Sequence, residues 1–347
     1  MINIDVKPLS PEAEKAARAR WDNVAKPLSS MGRFEDMICR IAAVQGTAEV
    51  ELRPRCALVF CGDHGVVNQG VSQSDSSVTA LVAASVARGE SNINVLASCC
   101  GTDVYAVDMG MKTPVNDPRI IDLSCGRGTN DLSLMPAMSR KTAEDALLKG
   151  ARLIKSFASK GYRLFATGEM GIGNTTASAA LTCALTGLEV HEAVCRGSGL
   201  SDEGLRCKEE VICRALKLHK PDPADPIGAL AALGGFEIAG MAGAFLGAAE
   251  CGVNIVIDGV ISSVAALAAE RICPDAVSYM LASHMSASKA MKPVMDELGL
   301  KPVIQGKMAL GEGTGAVMLF PLLDMAKALY DSAHDFASLG MEAYKPL

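Results

Sequence analysis

The feature that most limits how this chain can fold is a pattern repeated along it. A short apolar run is closed by glycine and polar residues, and an alanine-rich stretch of helical period follows. CALVF (56–60) leads into CGDHG, DVYAVDMG (103–110) ends in Asp108 and Gly110, and VNIVIDGV (253–260) ends in Asp258 and Gly259. YRLFATGEMGIGNTT (162–176) repeats the pattern, and KPVIQGKMALGEGTG (301–315) follows the same logic. SVTALVAASVARG (77–89), TAEDALLKGARLIKSFASKG (142–161) and DEGLRCKEEVICRALKLH (202–219) are the intervening helices. Runs of four to eight residues alternating with helices argue for an α/β fold, a parallel sheet flanked by helices. In such open sheets the ligand lies beyond the carboxyl ends of the strands. The strand-end loops are therefore expected to converge on one crevice, bringing Asp63, His64, Glu169, Asn174 and Asp258 to it.

The two ends differ from the middle. Residues 11–45 and 319–338 read as amphipathic helices with no strand between them and the termini. The expected organisation is a large α/β domain over 46–318, with 1–45 and 319–347 forming a small helical domain. PDPADP (221–226) reads as a turn between helices. The 347 residues suffice for this, and 49% hydrophobic residues require extensive burial. IAGMAGAFLGAA (238–249) is too short to span a bilayer, which takes roughly 20 residues. Its small side chains suggest close helix packing, as at a subunit interface.

Charge and cysteine usage exclude several functions. A net charge of −6 and no basic run argue against nucleic-acid binding, which needs clustered Lys and Arg. The N-terminal stretch has no apolar signal core, so a soluble cytoplasmic protein is expected. The 12 cysteines form no C-x-x-C pair and read as free thiols in a reducing compartment.

Several motifs can carry chemistry. GEMGIGNTT (168–176) follows a strand and opens a helix, which suits phosphate or carboxylate binding through Gly171, Gly173, Asn174 and Thr175. The competing reading is a plain glycine-rich turn with a helix cap. It is not a P-loop, and no G-x-G-x-x-G follows the first strand, which counts against a nicotinamide dinucleotide fold. CRGSG (195–199), with Lys208 on the next helix, is a second phosphate loop or a pair of solvated cations. GDHG and SHMS (283–286) offer Asp63, His64 and His284, but nothing beyond residue type suggests a metal. MALGEGTGAV (308–317) places Glu312 alone among glycines, as a charged turn or as a working carboxylate.

In order and spacing, GDHGV, NVLA (94–97), VDMG, GEMGIGNTT, RGSG, GG-x-EIAGMAGA (234–244), DGV, SHMS and LGEGTGA resemble the nicotinate-nucleotide:dimethylbenzimidazole phosphoribosyltransferase family. KPLSSMGRFE (26–35) looks like that family's entry segment, so the resemblance covers nearly the whole chain. It implies a Rossmann-like sheet with a small helical domain, and a dimer. The implied reaction moves phosphoribose from nicotinate mononucleotide to an aromatic base, forming an α-linked ribotide for a cobamide lower ligand. The implied base is Glu312, and Glu169, Gly171, Gly173, Asn174, Thr175, Arg196, Gly197, Ser198, Lys208 and Ser286 are the implied phosphate and ribose contacts. Ser72, Leu81, Gly311 and Gly313 border the implied acceptor pocket. No metal or other cofactor is implied. The departing nicotinate is already a pyridinium-type cation and leaves without an acid, so one carboxylate suffices.

The chain departs from the family where the acceptor binds. VSQSDSSVTALV (71–82) has Asp75, Leu81 and Val82 where relatives carry proline, glutamine and methionine. SHMSASKAM (283–291) departs at Ser288, Ala290 and Met291. A leucine cannot hydrogen-bond a heterocycle, so phenol or p-cresol is expected ahead of dimethylbenzimidazole. The alternative is a weakly catalytic or silent subunit paired with an active paralog.

Overall fold

The computed structural model describes residues 4–344 apart from Ser198. Its centre is a six-stranded, wholly parallel sheet: β1 (Arg55–Gly62), β2 (Asp103–Gly110), β3 (Ile121–Asp122), β4 (Leu164–Met170), β5 (Asn254–Ile257) and β6 (Met280–Ala282). The spatial order is β3-β2-β1-β4-β5-β6, the doubly wound Rossmann arrangement. The order reverses between β1 and β4, so the crevice for a ligand opens past Gly62 and Met170.

Among the described residues, thirteen α-helices surround it. In chain order these are α1 (Pro11–Asn23), α2 (Arg33–Gln45), α3 (Ser77–Arg88), α4 (Asn92–Ser98), α5 (Arg140–Ser159), α6 (Asn174–Thr186) and α7 (Val190–Ala193). They continue with α8 (Asp202–His219), α9 (Pro226–Leu233), α10 (Phe236–Cys251), α11 (Val260–Ile272), α12 (Met291–Glu297) and α13 (Thr314–Tyr330). The expected helices at 77–89, 142–161 and 202–219 are α3, α5 and α8, matched to within two residues at each end.

Successive strand residues feed opposite cores, as a period of two dictates. Cys56, Leu58 and Phe60 of β1 pack with α5, α6, α10 and α11, whereas Ala57, Val59 and Cys61 face α1–α4 and α13. Tight packing of α5 on α10 depends on absent side chains. A Cβ on Gly150 would lie 1.9 Å from the Gly240 carbonyl, and one on Gly243 would lie 1.9 Å from that of Leu147. The small residues of 238–249 thus serve a contact inside the chain, and not a subunit interface.

Two further expectations change. Residues 301–313 form no strand, and only a single bridge joins Ile304 to His284. The boundary drawn at 318 falls inside α13, which runs from the crevice to the terminal helices without interruption. Trp21 of α1 packs at a tilt against Tyr330 of α13, ring centroids 5.2 Å apart, and the Asp324 carboxylate of α13 takes a fork of bonds from Arg55 of β1. Among the described residues, no helix is long and apolar enough to cross a membrane, and no group of three or more His, Cys, Asp or Glu gathers as a metal site.

Candidate active site

Loops from β1, β4, β5, β6 and the segment before α13 enclose a cavity of about 570 Å³ at the switch point, within the usual range for small-molecule sites. Glu169, Gly171, Gly173, Asn174, Thr175, Arg196, Gly197, Ser72, Ser286, Gly311 and Glu312 all line it. Ser198 lies outside the described residues.

One side is built around the start of α6. Gly173 caps that helix at φ +99°, and a Cβ there would strike His64 and Val67 at 2.9 Å. Only glycine fits both the turn and the contact. Asn174 donates its side-chain N–H to the Glu169 carboxyl. Burial, reinforced by the Asp258 carboxylate, pushes Glu169 up to about 8, against the lowering effect of the Asn174 bond. At neutral pH this group is therefore mostly an uncharged acid. Lys208 is wholly buried behind the wall, donating to Thr175 Oγ1 at 2.7 Å and the Cys195 carbonyl at 3.1 Å. It joins α8, α6 and the 195–197 loop, and burial lowers its pKa. Arg196 stays half-exposed, donating to the Leu200 carbonyl at 2.8 Å and pairing with Asp202.

The opposite side holds Glu312. Three successive residues, Gly311, Glu312 and Gly313, have φ of +82°, +60° and +87°. For a glutamate this left-handed backbone costs about 1 kcal/mol or more. The reason is a close approach to β4: a Cβ on Gly168 would lie 2.3 Å from the Glu312 carbonyl oxygen, and one on Gly313 2.9 Å from that of Thr167. The side chain is only 8% exposed. Asn92 Nδ2 donates to its Oε1 at 2.9 Å and the Ile93 backbone N–H to its Oε2 at 3.3 Å. Gly311 lies against Glu169, whose Oε1 would be 2.6 Å from an added Cβ.

Asp258 and His284 close the floor. Asp258 accepts from the Ala316 N–H at 2.9 Å, tying the end of β5 to the start of α13. His284 Nδ1 lies 3.9 Å from it. Burial raises the acid and lowers the base, so desolvation drives both toward neutrality. Gly315 makes room for the imidazole, since its Cβ would sit 2.0 Å from Nδ1. The Ser286 and Ser288 hydroxyls on this rim are buried and have no protein partner.

Two expected acceptor-pocket residues fall elsewhere. Leu81 is 66% exposed and points away from the cavity, because α3 turns Val78 and Val82 inward instead. Gly313 packs behind the wall against β4. Val71, Val78, Val82, Met308 and Leu310 form the apolar lining. The GDHG loop is scaffold: Asp63 accepts from Thr79 Oγ1 at 2.6 Å and from the Lys112 N–H at 2.8 Å. His64 Nε2 lies 2.6 Å from Glu237 Oε1, with both side chains fully buried. Glu237 and Asn92 carry no sequence signal for these contacts, since Asn92 is 220 positions from its partner.

Sheet order, switch-point cavity and helix starts together define an α/β enzyme of the Rossmann type. A phosphoribosyltransferase family model matches residues 6–341. The nicotinate-nucleotide–dimethylbenzimidazole phosphoribosyltransferase of Chloroflexus aggregans is 42% identical over 341 residues, 98% of this chain and 97% of that protein. The protein of the same name from Ruminiclostridium cellulolyticum is 39% identical over 99% of this chain and 97% of its own. The crystal structure of CobT from Thermus thermophilus superposes with a TM-score of 0.91 at 37% identity, covering 96% of this chain and all of that one. This chain belongs to the nicotinate-nucleotide–dimethylbenzimidazole phosphoribosyltransferase family and is a pentosyl-transferring enzyme.

Proposed function

We propose that this cavity transfers phosphoribose from nicotinate mononucleotide to a phenolic acceptor, with Glu312 as the general base. The supporting observation is that one cavity joins an anion-suited side to a carboxylate set beside an apolar wall. The phosphate is placed at the start of α6, where Gly171, Gly173, Asn174 and Thr175 meet Arg196 and Gly197, with Lys208 holding Thr175 from behind. A helix start and a guanidinium both favour an anion. An uncharged Glu169 beside the phosphate removes the repulsion that a second carboxylate would add, and Ser286 brings an unsatisfied hydroxyl to the rim.

Nicotinate leaves neutral at its ring nitrogen as the acceptor attacks the anomeric carbon from the opposite face, so the configuration inverts from β to α. Glu312 takes the acceptor proton in the same step, since phenols titrate near 10 and are not ionised beforehand. The acceptor ring lies along Val78, Val82, Met308 and Leu310. These four side chains offer no hydrogen bond to a second ring heteroatom and leave Ser72 and Ser74 as the polar lining of that segment, which supports an acceptor with one polar atom over a benzimidazole with two. The product would be the ribotide of a cobamide lower ligand. We further propose a dimer, in which a subunit contact covers the exposed Leu81.

An acceptor panel with nicotinate mononucleotide, followed by nicotinate release, tests the reading. Phenol and p-cresol should turn over at least as fast as dimethylbenzimidazole. Much faster use of dimethylbenzimidazole would overturn the phenolic choice and leave the transferase chemistry standing.

A further inference from the structure

The carboxylate assigned as base is held from outside the glycine loop that carries it. Asn92 opens α4, and its amide N–H reaches Glu312 Oε1 at 2.9 Å, while the next backbone N–H reaches Oε2 at 3.3 Å. The helix start does not need this side chain. Ser91 and Asn94 form their own capping box, with Ser91 Oγ donating to Asn94 Oδ1 at 2.6 Å and the Ser91 N–H to the same atom at 3.2 Å. Asn92 is thus free to reach across. Its neighbour Ile93 is buried, with its Cδ1 3.1 Å from where a Cβ on Gly313 would sit, so α4 and the loop are fixed to one another.

We propose that Asn92 is a positioning residue for Glu312: with the Ile93 N–H it gives one donor to each carboxylate oxygen and so fixes which lone pairs face the acceptor. The proposal rests on Glu312 being the base. A carboxylate on a flexible stem would otherwise sample several rotamers, and proton transfer needs a heavy-atom separation of about 2.6–3.2 Å. Glu169, Cys195, Arg196, Asp258 and His284 are the other titratable or charged groups lining the cavity, and α4 itself carries none. Asn92 is therefore the one polar side chain of α4's first turn turned onto the base. Because it is exposed, replacing it leaves the core intact.

The test measures kcat and the KM for nicotinate mononucleotide across pH for the wild type, Asn92→Ala, Asn92→Asp, Glu312→Gln and the Asn92→Ala/Glu312→Gln double variant. Phenol and dimethylbenzimidazole serve in turn as acceptor, and each variant is compared with wild type on the same acceptor so that its own titration cancels. Asn92→Ala should lower kcat about tenfold, the loss of one hydrogen bond to a charged group, with KM within twofold. Asn92→Asp sets a second carboxylate against the first and should move the acid limb of kcat up by about one pH unit or more. The double variant should be no worse than Glu312→Gln alone. Unmoved pH profiles in both Asn92 variants, with Glu312→Gln inactive, would overturn the role of Asn92 and keep Glu312 as base. An active Glu312→Gln enzyme would overturn both.

Discussion

The two sides of the cavity are made in different ways. The Glu312 side is a backbone fit: Gly168, Gly313 and Gly315 each have a neighbour within 3 Å of where a Cβ would be, and the neighbours are β4, the glutamate's own carbonyl and His284. On the other side the start of α6 is also closely fitted, with a neighbour within 3 Å of a Cβ on Gly171 or Gly173, but the loop carrying Arg196 is open, and Gly199, at φ +103°, has nothing within 4 Å of an added Cβ. A base must be placed to fractions of an ångström, whereas an anion is attracted over several. Under the proposed roles, the contrast is between a base set by glycine–backbone contacts and an open charged loop that attracts the anion.

The sharpest way to break that comparison is a methyl group. Gly168→Ala should overpack the Glu312 loop at a cost of about 1–3 kcal/mol and reduce turnover about a hundredfold or more, because a small misplacement of catalytic groups is costly. Gly199→Ala meets only the strain of its backbone, about 1 kcal/mol, and should keep kcat within a few-fold. Thermal unfolding and nicotinate release on both variants check this, and equal losses would erase the distinction.

Next in size is the division between rate and binding. Glu312→Gln should lower kcat by about a hundredfold or more with little change in KM for nicotinate mononucleotide. Arg196→Ala should do the reverse, raising that KM about tenfold through one lost charge-assisted bond. Steady-state kinetics on the pair decide it, and the comparison fails if Arg196→Ala lowers kcat alone.

A third contrast concerns Glu169, which stands between the two sides. Its pKa rises from 4.5 to about 8, so the folded chain holds a proton that the unfolded chain has released over that window. Its contribution to stability is greatest below about 4.5, falls as pH rises toward 8 and is level above. A charged Glu169 would repel the donor phosphate, so kcat/KM for the donor should fall above about 8, and Glu169→Gln should remove that fall and flatten this part of the stability profile. Denaturation midpoints and kinetics from pH 5 to 9 would show it, and an unchanged slope in the variant would contradict the assignment.

Much of this architecture was legible in the chain because it is written locally. Apolar runs ended by glycine marked β1, β2, β4 and β5, and caps such as Ser139 and Ser201 lie where helical periodicity begins. The arrival of Glu169, Asn174 and Asp258 at one crevice followed from parallel topology alone, whereas Asp63 and His64, expected there too, are held in contacts outside its lining. The segment 301–313 misled because its apolar residues have the composition of a strand, yet it meets the sheet only at the single bridge from Ile304 to His284, just past the short edge strand β6. Leu81 misled because a one-residue step around a helix turns a side chain by about 100°, and only the packing of α3 decides which of Leu81 and Val82 looks inward.

The sequence by itself determined the alternation of strand and helix, the glycine-bounded loops and the residue types that reach the crevice. These depend on short-range sterics and on the period of burial. Tertiary structure alone decided that Asn92 meets Glu312, that His64 is locked to Glu237 and that a neutral Glu169 sits beside the anion-suited helix start. Each is a contact or a desolvation between segments far apart in the chain. Their energies exist only once the sheet has brought those segments together and excluded water from between them.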